Sequence, residues 1–442
     1  MKKISIVGCG FVGLCLAVVA AKKKSSVIAV DTDLNKIQSI NSGKAPFFEP
    51  EISEYLEKAL HKNLIVTNDI SDAVVNSDIT FVTVGTPPNP DGTANLDFIK
   101  SAIEDIGKSL KNKNTFHLVV IKSTILPTIT NKILKPILEN ASGKNNSSVG
   151  LVMNPEFLRE GSAITDTEQP HLIVIGSDTE KARSTLRTYY EDLYDDFNPE
   201  FIETSIETAE LIKYANNAFL ATKISFINSI ANICQKIPGT NVKDISNAIG
   251  KDPRIGNLFL NAGPGYGGSC FPKDVNAFID FSHQLGYEPV LFQATKEVND
   301  LQVNKVLELI KSKLKTFENK TISIFGLSFK KDTDDIRESV SVKLINELLK
   351  CNVNIRAHDP MAIEISKKLF GKKINFSNTI NGCLNDSDCC VIMTDWNDYK
   401  NLKESEFLVM RNKLIIDTRR LLINSNFKDV ELFSLGVNNE SN

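Results

Sequence analysis

A cysteine closes a glycine run in Gly263-Pro264-Gly265-Tyr266-Gly267-Gly268-Ser269-Cys270-Phe271-Pro272-Lys273-Asp274, with a lysine and an aspartate just beyond it. The four glycines of that run let backbone take φ > 0 and lie close to a ligand. A thiol flanked by Lys273 and by whatever helix follows is a candidate nucleophile, because the thiolate is the reactive form. The alternative is a glycine-rich turn around a buried cysteine, which packs as a small hydrophobe. On this stretch alone, nucleophile and buried turn are both open.

The N-terminus carries a second kind of chemistry. Residues 4–8 read as a strand, and Gly8-Cys9-Gly10-Phe11-Val12-Gly13 follows at once. A helix is expected from about Val12 to Lys24, then a strand Val27-Ile28-Ala29-Val30 ending at Asp31. This is the strand–GxGxxG–helix–strand–carboxylate order of a dinucleotide site. Gly8 makes the tight turn, Gly10 admits a pyrophosphate, and Gly13 lets helix and strand pack. The helix N-terminus faces the phosphates. Asp31 accepts from the adenosine ribose and favours NAD over NADP, whose extra phosphate would meet a carboxylate.

Those residues need a sheet to hold them. Strands at 78–84, 117–121 and 149–153 lead into Gly85-Thr86, Lys122-Ser123-Thr124 and Asn154-Pro155-Glu156. Ligands bind at the carboxyl ends of such strands, which places Thr86, Thr124 and Glu156 near a cofactor crevice. A polar residue after a strand is more often a helix cap, and each of the three taken alone reads first as one. Residues 207–236 read as one long helix without internal glycine or proline, closed by Pro238-Gly239. Lys213, Asn217, Ala221 and Ile224 share a face of it, as a functional stripe or as a solvated flank. Thr321 to Lys330, Asn354 to Asp359 and Ser387 to Asp395 echo the N-terminal pattern without a full GxGxxG. The fold expected is α/β: two Rossmann-like doubly wound domains joined by a long central helix and its helical neighbourhood. The polar tail from Asn438 to Asn442 is expected to fray.

Bulk properties narrow the classes. A chain of 442 residues exceeds one ordinary core. Its 24% charged and 42% hydrophobic residues are ordinary for a globular protein, and a net charge of −3 argues against a nucleic-acid surface. No apolar run approaches the ~20 residues of a membrane span, and the first residues lack a signal-peptide layout. Eight dispersed cysteines without a CxxC pair give no expectation of a metal site and point to a reducing cytoplasm.

In its motifs the chain resembles the UDP-glucose/GDP-mannose dehydrogenases, the nucleotide-sugar 6-dehydrogenases. The carriers are the GCGFVG turn with Asp31, Asn154 to Ser162, Ala209 to Asn217, Asp252 to Gly256, Phe259 to Gly263, Gly267 to Asp274, and Phe329-Lys330 with Asp335 to Glu338. The resemblance covers nearly the whole chain and leans to the UDP-glucose branch. It implies an NAD-binding domain over 1–200, a central helical dimerisation domain over 201–315 carrying the catalytic cysteine, and a UDP-sugar domain over 316–442. It implies a homodimer and a two-step, four-electron oxidation of a C6 hydroxyl to a carboxylate by way of a Cys270 thiohemiacetal and thioester. It gives Lys213 to the developing negative charge on oxygen, Asn217 to its support, Asp274 and Thr124 to a water near C6, and Glu156 to thioester hydrolysis. On the cofactor it adds Phe11, Val12, Lys36, Thr86, Thr124, Glu160, Lys273 and Arg337 to the glycines and Asp31. On the substrate it places the segment Glu156, Phe157, Leu158, Arg159 and Glu160 with Lys213, Asn217 and Lys330. Arg254, reaching into a neighbouring subunit, joins them, as do Phe259, Leu260, Asn261, Ala262, Gly263 and Gly267. One departure is Thr128, where a glycine often follows the proline.

Overall fold

The computed structural model describes residues 2–60, 62–87, 89 and 94–438. It comprises two compact units, 1–216 and 217–442. The first holds strands β1 (Lys3–Val7), β2 (Ser26–Val30), β3 (Leu64–Thr67), β4 (Ile79–Val82), β5 (His117–Ile121), β6 (Val149–Met153), β7 (Leu172–Gly176) and β8 (Glu200–Thr204). They form one sheet in the order β3-β2-β1-β4-β5-β6-β7-β8, parallel except where β6 meets β7. Every residue of β4, β5 and β6 is buried. Helices on both faces explain why these strands read as unbroken apolar runs and not as alternating ones. One face packs Leu14, Val18, Leu56, Phe81 and Tyr189 together, and the other packs Val7, Val82, Ile103, Ile121 and Leu134.

The second unit holds β9 (Thr321–Phe325), β10 (Asn354–His358), β11 (Asn375–Phe376), β12 (Cys389–Ile392), β13 (Leu414–Asp417) and β14 (Glu431–Ser434), all parallel, in the order β11-β10-β9-β12-β13-β14. The central triplet β10-β9-β12 repeats β2-β1-β4, so both sheets reverse strand order at their first strand. The expected doubly wound pair is therefore present. The helix expected over 207–236 runs unbroken as Ile206–Cys234. No helix among the described residues is long and apolar enough to cross a membrane.

Two expectations change. Asn438 does not fray: its amide donates to Thr240 O at 3.1 Å and its carbonyl accepts from Gly239 N at 2.9 Å, while residues 439–442 lie outside the described set. Thr128, where a glycine was missed, sits at φ +76. That left-handed conformation is strained for a β-branched residue. Glu210, fully buried on the long helix, accepts from Thr128 N at 2.7 Å and Thr130 N at 2.9 Å and so pins the loop. Burial outweighs those amides and raises the Glu210 carboxyl to about 7. Thr128→Gly relieves the strain by more than glycine adds to the freedom of the unfolded chain. A gain of about 1 kcal/mol in urea unfolding is expected; an unchanged midpoint would show that the loop tolerates threonine without cost.

Candidate active site

The glycine turn after β1 has the shape that a pyrophosphate needs. Gly8 takes φ +104. A Cβ on Gly13 would lie 1.9 Å from the Gly8 carbonyl oxygen, so only glycine lets the helix Phe11–Lys22 pack there. A Cβ on Gly10 would meet nothing within 4 Å, which leaves open space at the helix start. No side chain caps that helix, so its first amides remain available to an anion. Phe11 packs on Phe47 with centroids 5.1 Å apart, and Val12 lines a small cavity described below.

Asp31 closes this half-site at the end of β2. Its Oδ2 accepts from Cys9 N and from Lys36 Nζ, both at 2.8 Å, and its Oδ1 accepts from Asp33 N at 3.0 Å. Burial alone would raise this carboxyl, but Lys36 and the amides outweigh it and hold it below the ordinary carboxylate range. An ionised carboxylate has about four acceptor positions, so Asp31 keeps capacity for a ribose hydroxyl. The residues present fit a dinucleotide. Asp359, its counterpart after β10, differs. Oδ2 accepts from Leu327 N at 2.7 Å, Ser328 N at 3.1 Å, Ser328 Oγ at 3.2 Å and Trp396 Nε1 at 3.2 Å. Oδ1 accepts from Met361 N and Ala362 N, each at 2.8 Å.

Thr86 is buried and donates to the Thr124 carbonyl at 2.8 Å, tying the turns after β4 and β5 together. Lys213 Nζ lies 2.8 Å from Glu156 Oε1 and donates to the Glu156 carbonyl at 2.7 Å. Both side chains are buried. Burial pushes the Glu156 carboxyl up, yet Lys213, the Leu158 amide on Oε2 at 2.7 Å, and Lys122 more than reverse it, leaving it lowered. Lys213 also lies 5.5 Å from the centroid of the Phe157 ring. Arg159 is spent on Asp166, with Nη2–Oδ1 at 2.6 Å. Glu160 is half-buried in a segment held by Glu49, whose carboxylate accepts from Gly161 N at 2.7 Å and Ala163 N at 2.6 Å.

In the second unit, Cys270 is exposed and stands at the N-cap of the helix Phe271–Gln284. The buried turn is thereby set aside. The helix N-terminus directs partial positive charge at the sulfur, and Ser269 Oγ lies 3.5 Å away. Asp274, in the first turn, is buried between Asn217 Nδ2 at 2.7 Å and Lys273 Nζ. The glycines serve packing more than open approach. A Cβ on Gly267 would lie 2.2 Å from the Glu338 carbonyl oxygen, and one on Gly268 would lie 2.7 Å from the Phe329 ring.

Other expected residues divide. Phe259 takes φ +63, and its ring lies 6.2 Å from that of Phe271. Leu260 and Ala262 turn into a buried cluster with Ile227 and Val242, so their contribution to a ligand is confined to backbone. Asn261 is exposed, with Lys243 Nζ at 3.5 Å. Arg254 is exposed and forked onto Asp252, Nη2–Oδ2 at 2.7 Å. Arg337 is likewise forked onto Asp335, and Lys330 Nζ lies 5.6 Å from the centroid of the Phe329 ring.

Sequence reasoning missed the residues that clamp the glycine run. Asn228 accepts from Gly263 N at 2.7 Å, Gln302 donates to Gly263 O at 3.0 Å, and Asn299 accepts from Tyr266 N at 2.7 Å. Arg419 fills the space beside Gly263, and Arg420 donates to the Ala262 carbonyl. The Arg419-Arg420 pair after a strand was the one available signal.

The chain's likenesses agree with this geometry. Residues 2–195 match the NAD binding domain of the UDP-glucose/GDP-mannose dehydrogenase family, 207–301 its central domain, and 323–424 its UDP binding domain. UDP-glucose 6-dehydrogenase AglM of Haloferax volcanii is 39% identical over 97% of this chain and 99% of its own. A UDP-glucose dehydrogenase from Pyrobaculum islandicum superposes with a TM-score of 0.90 at 33% identity, covering 98% of this chain and 97% of that one. A UDP-D-ManNAc dehydrogenase from Pyrococcus horikoshii superposes at 0.87 with 25% identity, covering 99% and 100%. With the glycine turn, Asp31 and the helix-capping cysteine all in matched domains, the chain belongs to the UDP-glucose/GDP-mannose dehydrogenase family.

Proposed function

We propose that this protein oxidises C6 of the sugar of UDP-glucose twice, giving UDP-glucuronate, with Cys270 holding the half-oxidised carbon between steps. The observation that carries the reading is the exposed thiol at a helix N-terminus in a chain that matches UDP-glucose 6-dehydrogenases along nearly its whole length. NAD, when bound, supplies the hydride acceptor for each of the two oxidations.

The side chains do the rest. As C6 gives up hydride, its hydroxyl proton passes to a water held by Asp274 and Thr124, and Lys213 stabilises the charge growing on oxygen. The Cys270 thiolate adds to the aldehyde carbon, and the oxygen takes a proton, giving a thiohemiacetal. Loss of that proton with a second hydride leaves a thioester. Glu156 takes a proton from water as it attacks the thioester carbon, and the thiolate leaves. Per sugar, one water and two hydride acceptors are consumed and three protons are released. Asp31, Lys36, Thr86, Glu160, Lys273 and Arg337 serve the cofactor in this reading. The segments 156–160 and 259–263, with Arg254, Gly267 and Lys330, serve the nucleotide sugar. The functional segments are 1–200, 201–315 and 316–442.

A homodimer belongs to the same proposal. Phe219, Phe226 and Ile233 recur every seven residues along the long helix and are exposed, a stripe suited to a second copy. A UDP-N-acetylhexosamine is the competing substrate, favoured by the Pyrococcus horikoshii likeness. NADH release decides between them. UDP-glucose should yield two NADH per sugar, with UDP-N-acetylmannosamine and GDP-mannose inert. Turnover of either alone would move the assignment to that sugar.

A further inference from the structure

Lys122 is a partly buried cation with no part in the steps above. It follows β5, and its Nζ donates to Asn154 Oδ1 at 3.0 Å and to Tyr190 OH at 3.4 Å. Tyr190 OH in turn donates to the same Asn154 oxygen at 2.5 Å. Asn154 is fixed by its own Nδ2, which donates to Val174 O at 2.7 Å. Lys122 and Glu156 line one cavity of about 50 Å³ with Asn154 and Tyr190. The lysine is therefore held in place beside the carboxylate without bonding to it.

That arrangement answers a difficulty in the chemistry. At rest, Glu156 has Lys213 as its direct cation. During oxidation, Lys213 is required at the sugar oxygen. A buried carboxylate that loses its counter-ion takes up a proton and ceases to be a base. We infer that Lys122 is a positioning residue that keeps Glu156 ionised while Lys213 attends to the substrate oxygen. The inference rests on the assignment of Glu156 as the hydrolytic base.

Charges facing the pair come from several elements. Lys213 reaches Glu156 from the long helix, and Tyr190, on the helix Glu180–Leu193, and Tyr194, at its C-cap, face Lys122's cavity. Asp166 lines the cavity but is engaged by Arg159, and His171 stands exposed at its rim. Burial lowers the Lys122 amine to about 8, against the pull of Glu156, so it remains a cation at neutral and acidic pH.

The test follows the Cys270 adduct. Enzyme is mixed with NAD and the C6 aldehyde of UDP-glucose, quenched over time and weighed intact between pH 5 and 8. In Lys122→Met the acidic limb of adduct decay should move up by about one pH unit, a roughly tenfold slower decay at the acid end. Lys122→Gln, which keeps a donor toward Asn154, should show the same shift if the methionine variant does not fold. The shift should persist in a His171→Asn background, which assigns it to Glu156 and not to the imidazole. Superimposable limbs, with Glu156→Gln stalling decay at all pH values, overturn the role of Lys122 alone. Unchanged decay in Glu156→Gln overturns the base assignment, and the inference with it.

Discussion

Cys270→Ala should make UDP-glucuronate at least about 10³-fold more slowly than the parent chain, while nucleotide-sugar binding stays close to unchanged. Removing the nucleophile leaves no covalent hold on the aldehyde, so the NADH yield should fall from two per sugar to at most one. Quantifying both products in one quenched reaction checks this. Two NADH per sugar from the alanine variant would eliminate the thioester. Iodoacetamide gives an independent reading of the same sulfur. Cys270 is exposed, whereas Cys9, Cys383, Cys389 and Cys390 are buried. Burial pushes the Cys9 and Cys383 thiols up to about 12 and raises those of Cys389 and Cys390 too. Cys270 should therefore alkylate well before these four and be protected by UDP-glucose.

Lys213→Met should lose about 10²–10³ in kcat through the missing charge on the sugar oxygen. It should also destabilise the fold, because it leaves the buried Glu156 carboxylate without its direct ion-pair partner. Losing one member of a buried pair costs about 3–5 kcal/mol. The pH dependence fixes the cause. In the parent, the Glu156 carboxyl is lowered in the folded state. Its contribution is thus present above the unfolded value and is lost as pH falls through the folded one. In the variant, burial is opposed only by the Leu158 amide and the more distant Lys122, so the carboxyl rises from its lowered value. The stability gap between the two proteins should be widest near pH 7 and narrow toward pH 4. Urea unfolding at the two pH values measures it; a gap independent of pH would assign the loss to packing.

The elements that hold the site were legible wherever the sequence carries a period or a required backbone angle. His117–Ile121 and Val149–Met153 read as strands because both faces are covered and every residue is apolar or sheltered. Gly8 and Gly13 could be placed at the turn, and Asp31 at the end of β2, because their spacing follows from the turn itself. The clamps were not legible. Glu210 holds an amide 82 positions away, and Asn228 holds one 35 positions away. A single polar residue within a helix gives no sign of a partner that distant. Thr128 illustrates the opposite failure: the missing glycine was noticed, but the backbone keeps its left-handed angle under threonine because Glu210 secures it. Lys122 was passed over because a lysine after a strand reads as an ordinary solvated end.

Asp359 has a consequence beyond its own unit. With six donors converging on two oxygens, no lone pair is left over for a sugar hydroxyl. Two sheets that share a central strand order thus differ in whether the acidic residue beside that centre has an acceptor position to spare. What separates them is how fully one carboxylate is already occupied by its own neighbours.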